Sequence, residues 1–481
     1  MIKFLFFDYQ EVERVRGFTR RLNRPAKHPG NPLLVSDPAG EGDAPWEHGN
    51  MQLYGSVVRR PDGLFQLWYQ TQRRDAGSML GYAESEDGLA WRRPPQDVVA
   101  LDGRPTGFVF DHPHGAAVLY DAEDPRPDWR YKLLSGARPS GCISAFRSPD
   151  GIHWTAVQRG PVIGTNPDCP MGLLRARDGR YVVYHRVWGH GRRVFRSESW
   201  DFVHWSGEPR LVVEPDAGDP TNTQLYGLGA APYGPYELGT LWIYHTTQDD
   251  PDIAKMGGVQ QPELAYARSG HAWHRAAQGT PFIPNGPAAP PPGAWDRGNL
   301  QCASAPVYLD DEIRYYYAGT QVIHRRGWAF EPQRAGLGLA SLKPDRFVAL
   351  DAGDEPAELL TAAFPLLSDR IRVNADVAAE GWVRAGLVTA DGEPLAGLGP
   401  EDTPPLRGDD TAHAVRWPDG APAALPVGRW VRLLIRARRA SLYAVAVHAP
   451  GETPVYHRFQ EGNPQRNQVG RVELSRTTPA A

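Results

Sequence analysis

Cysteine is scarce in this chain. Three residues in 481, Cys142, Cys169 and Cys302, are odd in number and far apart, which excludes a disulfide framework and a cysteine metal site. Long hydrophobic runs are missing as well. Nothing approaches the roughly 20 apolar residues of a membrane span. The opening MIKFLFFDYQEVE is broken by Asp8 and has no small-residue cleavage site, so it is not read as a signal peptide. A reduced, cytoplasmic protein is the expectation. Neither sign of charge dominates: 52 Lys and Arg stand against 56 Asp and Glu, a net charge of −4 without a basic stripe. Nucleic acid and anionic membranes are therefore not expected partners. No cluster of His, Cys and carboxylate has zinc-type spacing, and His112 with His114 is too little alone, so no obligatory transition metal is expected. Sustained 3.6-residue apolar periodicity is also absent, which argues against a helical fold.

Glycine (51), proline (46) and aromatic residues (10%) are plentiful instead, the composition of an all-β protein. One phrase recurs: a strand, then Ser, a turn with Asp or Gly, and a Trp a few residues on. It reads AESEDGLAW at 83–91, FRSPDGIHW at 146–154, FRSESWDFVHW at 195–205 and YARSGHAW at 266–273. A degenerate copy at 339–347, LASLKPDRF, has Phe347 in the anchor position. The anchors Trp91, Trp154, Trp205, Trp273 and Phe347 are 63, 51, 68 and 74 residues apart. Upstream of each turn lies an aromatic strand (LFQLWYQ, WRYKLLS, RYVVYHRV, LGTLWIYHT, EIRYYYAG), and before it one further strand. A period of this length marks an array whose units cannot bury their apolar faces alone. Five such meanders predict a five-bladed β-propeller with an axial pocket.

The period stops after Phe347. The expected organisation is an N-terminal surface segment over 1–30, the propeller over 31–350, a linker over 351–369 and a second domain over 370–481. The second domain shows short strands with Asp-Gly and Gly turns about every ten residues, the spacing of a β-sandwich. A bracing role is expected for it. The sequence Glu123-Asp124-Pro125 falls in a hairpin and is read as turn chemistry.

A propeller followed by a sandwich resembles glycoside hydrolase families 32, 43 and 68. The opening from Trp46 to Val57, the segment from Phe282 to Gly298 (FIP…WDRG) and the VNAD…LYA frame of the second domain resemble a bacterial group termed family-32-like. The likeness spans nearly the whole chain, although the invertase-type signatures W-M-N-D-P-N and R-D-P are absent. It implies a carbohydrate substrate, a furanoside or a small exposed sugar, and hydrolysis by paired carboxylates in the axial pocket. It also leaves open a glycoside phosphorylase or transglycosylase on the same fold, or a noncatalytic carbohydrate-binding propeller. Relatives sometimes carry an axial calcium, so a structural calcium held by acids of the inner strands is the one ion kept in view. No cofactor is implied.

An acid stands before the inner strand of every unit: Glu47, Asp111, Asp168, Asp219 and Asp296. Each also fits ordinary turn usage, and that alternative stays open. The resemblance gives Glu47 the nucleophile or base role, Asp111 a tuning role and Asp168 the general acid, with Asp219 as its substitute. Asp219 and Asp296 are otherwise candidate ligands for sugar hydroxyls. Trp46, His112, His114, Arg186, Tyr226, Arg297 and His324 complete the candidate substrate-binding set, through aromatic faces and polar groups suited to hydroxyls. Trp188 and Trp295 are further stacking candidates, and Glu263 ranks below the inner-strand acids.

Overall fold

The computed structural model describes residues 1–36, 44–73, 77–137, 141–164, 166–188, 191–246, 257–290, 293–324, 335–419 and 425–451. Among the described residues, helix is confined to one 3₁₀ turn, Pro127–Trp129. The described residues form two compact units, one of Arg24–Leu342 and one of Met1–Asn23 with residues 343–451.

The unit Arg24–Leu342 is a propeller of successive antiparallel meanders, numbered here from 1. Blade 1 runs Gln52–Arg59, Phe65–Gln72, Ser78–Ser85 and Phe108–Asp111. Blade 2 runs His114–Tyr120, Tyr131–Ala137, Cys142–Ser148 and Thr155–Ala156. Blade 3 runs Pro167–Arg175, Tyr181–Val187, Val194–Ser199 and Arg210–Val213. Blade 4 runs Thr223–Tyr233, Tyr236–Thr246, Gly258–Ala267 and His274–Arg275. Blade 5 has Asn299–Cys302 and Val307–Tyr308 together as its inner strand, Ile313–Thr320 as its second and Ala335–Leu342 as its third. Its outer edge is completed by Ala26–Lys27 and Leu34–Val35 from the start of the unit.

Contacts between neighbouring inner strands close the circle. The Val118 amide donates to Ser56 Oγ at 2.9 Å, joining blade 2 to blade 1. The Ala230 amide donates to the Ser304 carbonyl, and the Ser304 amide to the Gly55 carbonyl, joining blade 4 to 5 and 5 to 1. Blade 3 meets blade 4 where Gly172 lies against the Leu228 carbonyl, an approach that any Cβ would block. Between the blades the aromatic strands supply the core, with Trp68, Tyr184, Trp242 and Tyr316 at most 1% exposed.

The recurring phrase folds as one turn. In its first three copies, Ser85, Ser148 and Ser199 each accept through Oγ from the amide three residues on, at 2.9 Å. Asp87, Asp150 and Asp201 then cap the next two amides at 2.7–2.9 Å. The residue between them is left-handed, Gly88 and Gly151 in two copies and Phe202, at φ 68°, in the third. The Glu123-Asp124-Pro125 hairpin is a turn of the same local kind: Asp124 accepts the Arg126 amide at 3.1 Å.

The second unit is a β-sandwich built on two long strands, Ile371–Thr389 and Trp430–Val447, paired along their length with a break in register between Val377 and Trp382. Here the structure corrects two expectations. Residues before Arg24 are not a surface segment: Ile2–Leu5, Val12–Arg16 and Phe18–Leu22 are strands of this sheet. Residues 351–369 are not a linker, because Val348–Ala352, Ala357–Thr361 and Phe364–Pro365 pair with Trp430–Val447. These runs are too short for alternation to show, and it is backbone pairing with distant strands that makes them regular. Residues 452–481 of the expected second domain lie outside the described residues.

Candidate active site

The inner strands do not start straight. Register slips between Gln52 and Ser56 in blade 1, between His114 and Ala116 in blade 2, between Pro167 and Gly172 in blade 3 and between Leu225 and Gly227 in blade 4. A bulge turns a side chain out of the alternation of its sheet. At these slips the chain gathers a polar cluster from several blades.

Asp168 is its centre. His114 Nε2, from blade 2, lies 2.7 Å from Asp168 Oδ1. Arg186, on the second strand of blade 3, donates to Oδ2 through Nε at 2.9 Å and lies 2.8 Å away through a terminal nitrogen. Arg186 also donates to the Tyr226 carbonyl at 2.9 Å, and its guanidinium lies 4.6 Å from the Tyr226 ring centre. Tyr226 pairs with the Tyr54 hydroxyl at 2.7 Å and with His324 Nε2 at 3.2 Å. The other nitrogen of His324 is 3.3 Å from the Tyr244 hydroxyl. Arg192 lies over the rings of both Tyr226 and Tyr244 and donates to Gln224 at 2.7 Å. Residues from blades 1, 2, 3 and 4, with His324 just past the second strand of blade 5, thus meet in one contact network.

Burial alone would raise the Asp168 carboxyl, but the charge of Arg186 and the His114 hydrogen bond outweigh it and hold the group well below the usual carboxylate range. Burial likewise works against the charge of Arg186, and Asp168 more than compensates. Asp168 is therefore held as an anion at neutral pH. Next in the chain, His185 is pushed down to about 4 by burial, and so is neutral at pH 7.

Of the other acids singled out in the sequence, Glu47 is fully buried inside blade 1, where the Tyr69 hydroxyl donates to it and Arg93 Nε is 3.6 Å away. Asp219 is bound by Arg275 of the outer strand of blade 4, which also holds Glu263 at 2.7 Å. Asp296 takes Lys27 at 2.5 Å and the Tyr317 hydroxyl at 3.0 Å. Asp111 ends the outer strand of blade 1, half exposed and 3.5 Å from His112. His112 has a positive φ of 51°, which turns the chain toward His114. Trp46 lies against Gly107, Trp295 stacks on Tyr317 at 5.8 Å, and Arg297 closes a turn onto the Ala294 carbonyl. Trp188 is 41% exposed.

The structure thus brings together Asp168, His114, Arg186, Tyr226 and His324 from the expected set, and adds Tyr54, Tyr244, Arg192 and Gln224. One signal for Tyr54 was present. The tetrapeptide Gln-Leu-Tyr-Gly occurs at 52–55 and again at 224–227, and it is the tyrosines of these two copies whose hydroxyls meet. Among the described residues no group of three or more His, Cys, Asp and Glu is arranged to hold a metal ion.

No family model matches the chain. It is similar to a solved structure described as showing that "the GH130 family of mannoside phosphorylases contains glycoside hydrolases that target beta-1,2 mannosidic linkages in Candida mannan", at 17% identity and TM-score 0.46 over 69% of this chain and 95% of that one. A putative glycoside hydrolase from Parabacteroides distasonis is similar at 17% identity and TM-score 0.44, over 68% of this chain and 97% of that one. The catalytic domain of a GH62 α-L-arabinofuranosidase from Coprinopsis cinerea is similar at 13% identity and TM-score 0.41, over 68% and 97% of the two chains.

Proposed function

We propose that the chain is a hydrolase of O-glycosyl bonds, related to the family-32-like group its sequence resembles, and that its chemistry is centred on Asp168. The observation that carries this reading is a carboxylate held ionised by Arg186 and His114, where the inner strands begin, in a network that continues through Arg186 to the Tyr226–Tyr54 pair. Glycosidic cleavage needs an anion facing the carbon on which positive charge develops, and a proton donor for the leaving oxygen. Asp168 supplies the anion, as base or nucleophile. Its lowered pKa makes it a poor proton donor, so the general-acid role is moved away from it. In this reading the second carboxylate is Asp111, which stands three residues before His114, and His114 positions Asp168. Glu47 acts from inside blade 1, holding Tyr69 and Arg93. The sugar lies against Tyr226 and Tyr54, with Arg192 and His324 facing its hydroxyls.

A specific observation favours a second reading on the same site. Arg192 and His324 add donors to a cluster with one carboxylate, an arrangement suited to inorganic phosphate as the attacking group. The test is a panel of nitrophenyl glycosides, furanosides included, with and without phosphate. Turnover without phosphate supports hydrolysis, and turnover only with phosphate supports phosphorolysis. If no glycoside turns over while sugars still bind, the propeller is a binding module.

A further inference from the structure

A cleft of about 300 Å³ opens at the other end of the inner strand that carries Asp168. It lies between the first hairpins of blades 2 and 3 and the third copy of the repeated turn. Arg175 lines it, seven residues along the strand from Asp168, which places the cleft about 20 Å from the axial cluster.

Trp200 stands at its rim, 70% exposed. The fold does not require an indole there. Glu86 and Pro149 occupy the same position in the first two copies, both exposed, and all three turns make the same Ser-to-amide bond at 2.9 Å. The Arg180 guanidinium lies 5.5 Å from the Trp200 ring centre and is itself held by Asp178 and Glu198, so it braces the indole. Below the rim the floor is rigid. Lys132 bridges Asp121 and Asp124 at 3.1 and 2.9 Å, Arg175 donates to Asp121 at 3.0 Å, and the Tyr181 hydroxyl donates to Asp121 at 2.7 Å.

The charges define the ligand. Three carboxylates, Glu123, Asp124 and Asp201, line the cleft against two guanidiniums, Arg126 and Arg175. Both guanidiniums are already paired, to Asp124 and Asp121. An anionic ligand would find no uncompensated cation. A neutral ring with C–H groups on one face and hydroxyls at its edge matches an exposed indole bordered by carboxylate acceptors. We propose that this cleft is a second saccharide site, binding neutral sugar units of a polymer away from the axial cluster. The proposal does not depend on the axial site being catalytic.

Affinity electrophoresis of the full chain in gels containing soluble β-mannan, arabinan or inulin tests it. At least one polysaccharide should retard the wild-type protein, the Trp200→Ala variant should lose threefold or more of that affinity, and Trp200→Tyr should recover most of it. Thermal midpoints should be unchanged, since Glu86 and Pro149 serve the same turn elsewhere. Retardation of Trp200→Ala equal to wild type, or no retardation by any of the three polymers, would overturn the proposal.

Discussion

The starts of blades 1 and 5 and the start of blade 3 carry the same kind of residue and use it differently. In blades 1 and 5 the acid turns outward into its own blade. Tyr69 lies against Gly81 and gives its hydroxyl to Glu47, just as Tyr317 lies against Gly338 and gives its hydroxyl to Asp296. A cation from beyond the third strand completes each set, Arg93 in one and Lys27 in the other. Blade 4 has a looser version, with Asp219 held by Arg275. In blade 3 the cation comes instead from the second strand, and a histidine arrives from the neighbouring blade. An acid tied within its own blade is a strut. An acid held across inner strands belongs to a shared cluster.

Four measurements test this contrast. Glu47→Gln should cost the most, about 3–5 kcal/mol in urea unfolding, because it removes one charge of a buried ion pair. Turnover per folded molecule should survive. Loss of turnover at near wild-type stability would instead move Glu47 into the reaction.

His185 comes next and reports on the blade 3 side. Its folded value, about 4, lies below the ordinary value near 6.5, so the unfolded chain takes up the proton first. Stability is then complete above pH ~6.5 and falls as the pH drops toward 4, by up to about 3 kcal/mol. A His185→Gln variant should show a flatter profile over this window, and an unchanged slope would contradict the burial of a neutral imidazole.

Asp168→Asn should raise the barrier by at least about 2.7 kcal/mol, a hundredfold in kcat per folded molecule on a proven substrate. Asp168→Glu keeps the charge beside Arg186 and so most of the stability, but the added methylene displaces the carboxylate and turnover should stay low. Near-normal kcat in both variants would remove Asp168 from the chemistry. The smallest effect belongs to the half-buried strut. A double-mutant cycle on Lys27 and Asp296 should give a coupling of about 1 kcal/mol without changing turnover, since Lys27 is 27% exposed. A change in kcat there would mean that blade 5 shares the site.

Much of the propeller was legible because its signals are local. Ser-x-Asp-Gly followed by Trp is a turn whose hydrogen bonds lie within six residues, and the five aromatic strands have enough length to show themselves. The strands at 348–361 were not legible. Their partners are some 75 to 90 residues away in Trp430–Val447 and more than 300 away near the start of the chain, and runs such as AELLT carry no alternation. Cluster members were readable in kind and not in grouping. His114, Asp168 and Arg186 could be named as polar groups near inner strands, yet nothing local separates Asp168 from Glu47.

The repeat, the all-β class and the turn chemistry can be read from neighbouring residues, because each depends on residues close in the chain. Which acid faces which cation is set by the fold. That choice rests on bulges in the inner strands and on partners from other blades, Arg186 and His114 for Asp168, and Arg93 for Glu47. A buried charge is tolerable only beside its counter-charge, and which counter-charge is beside it depends on the fold and not on any stretch of neighbouring residues.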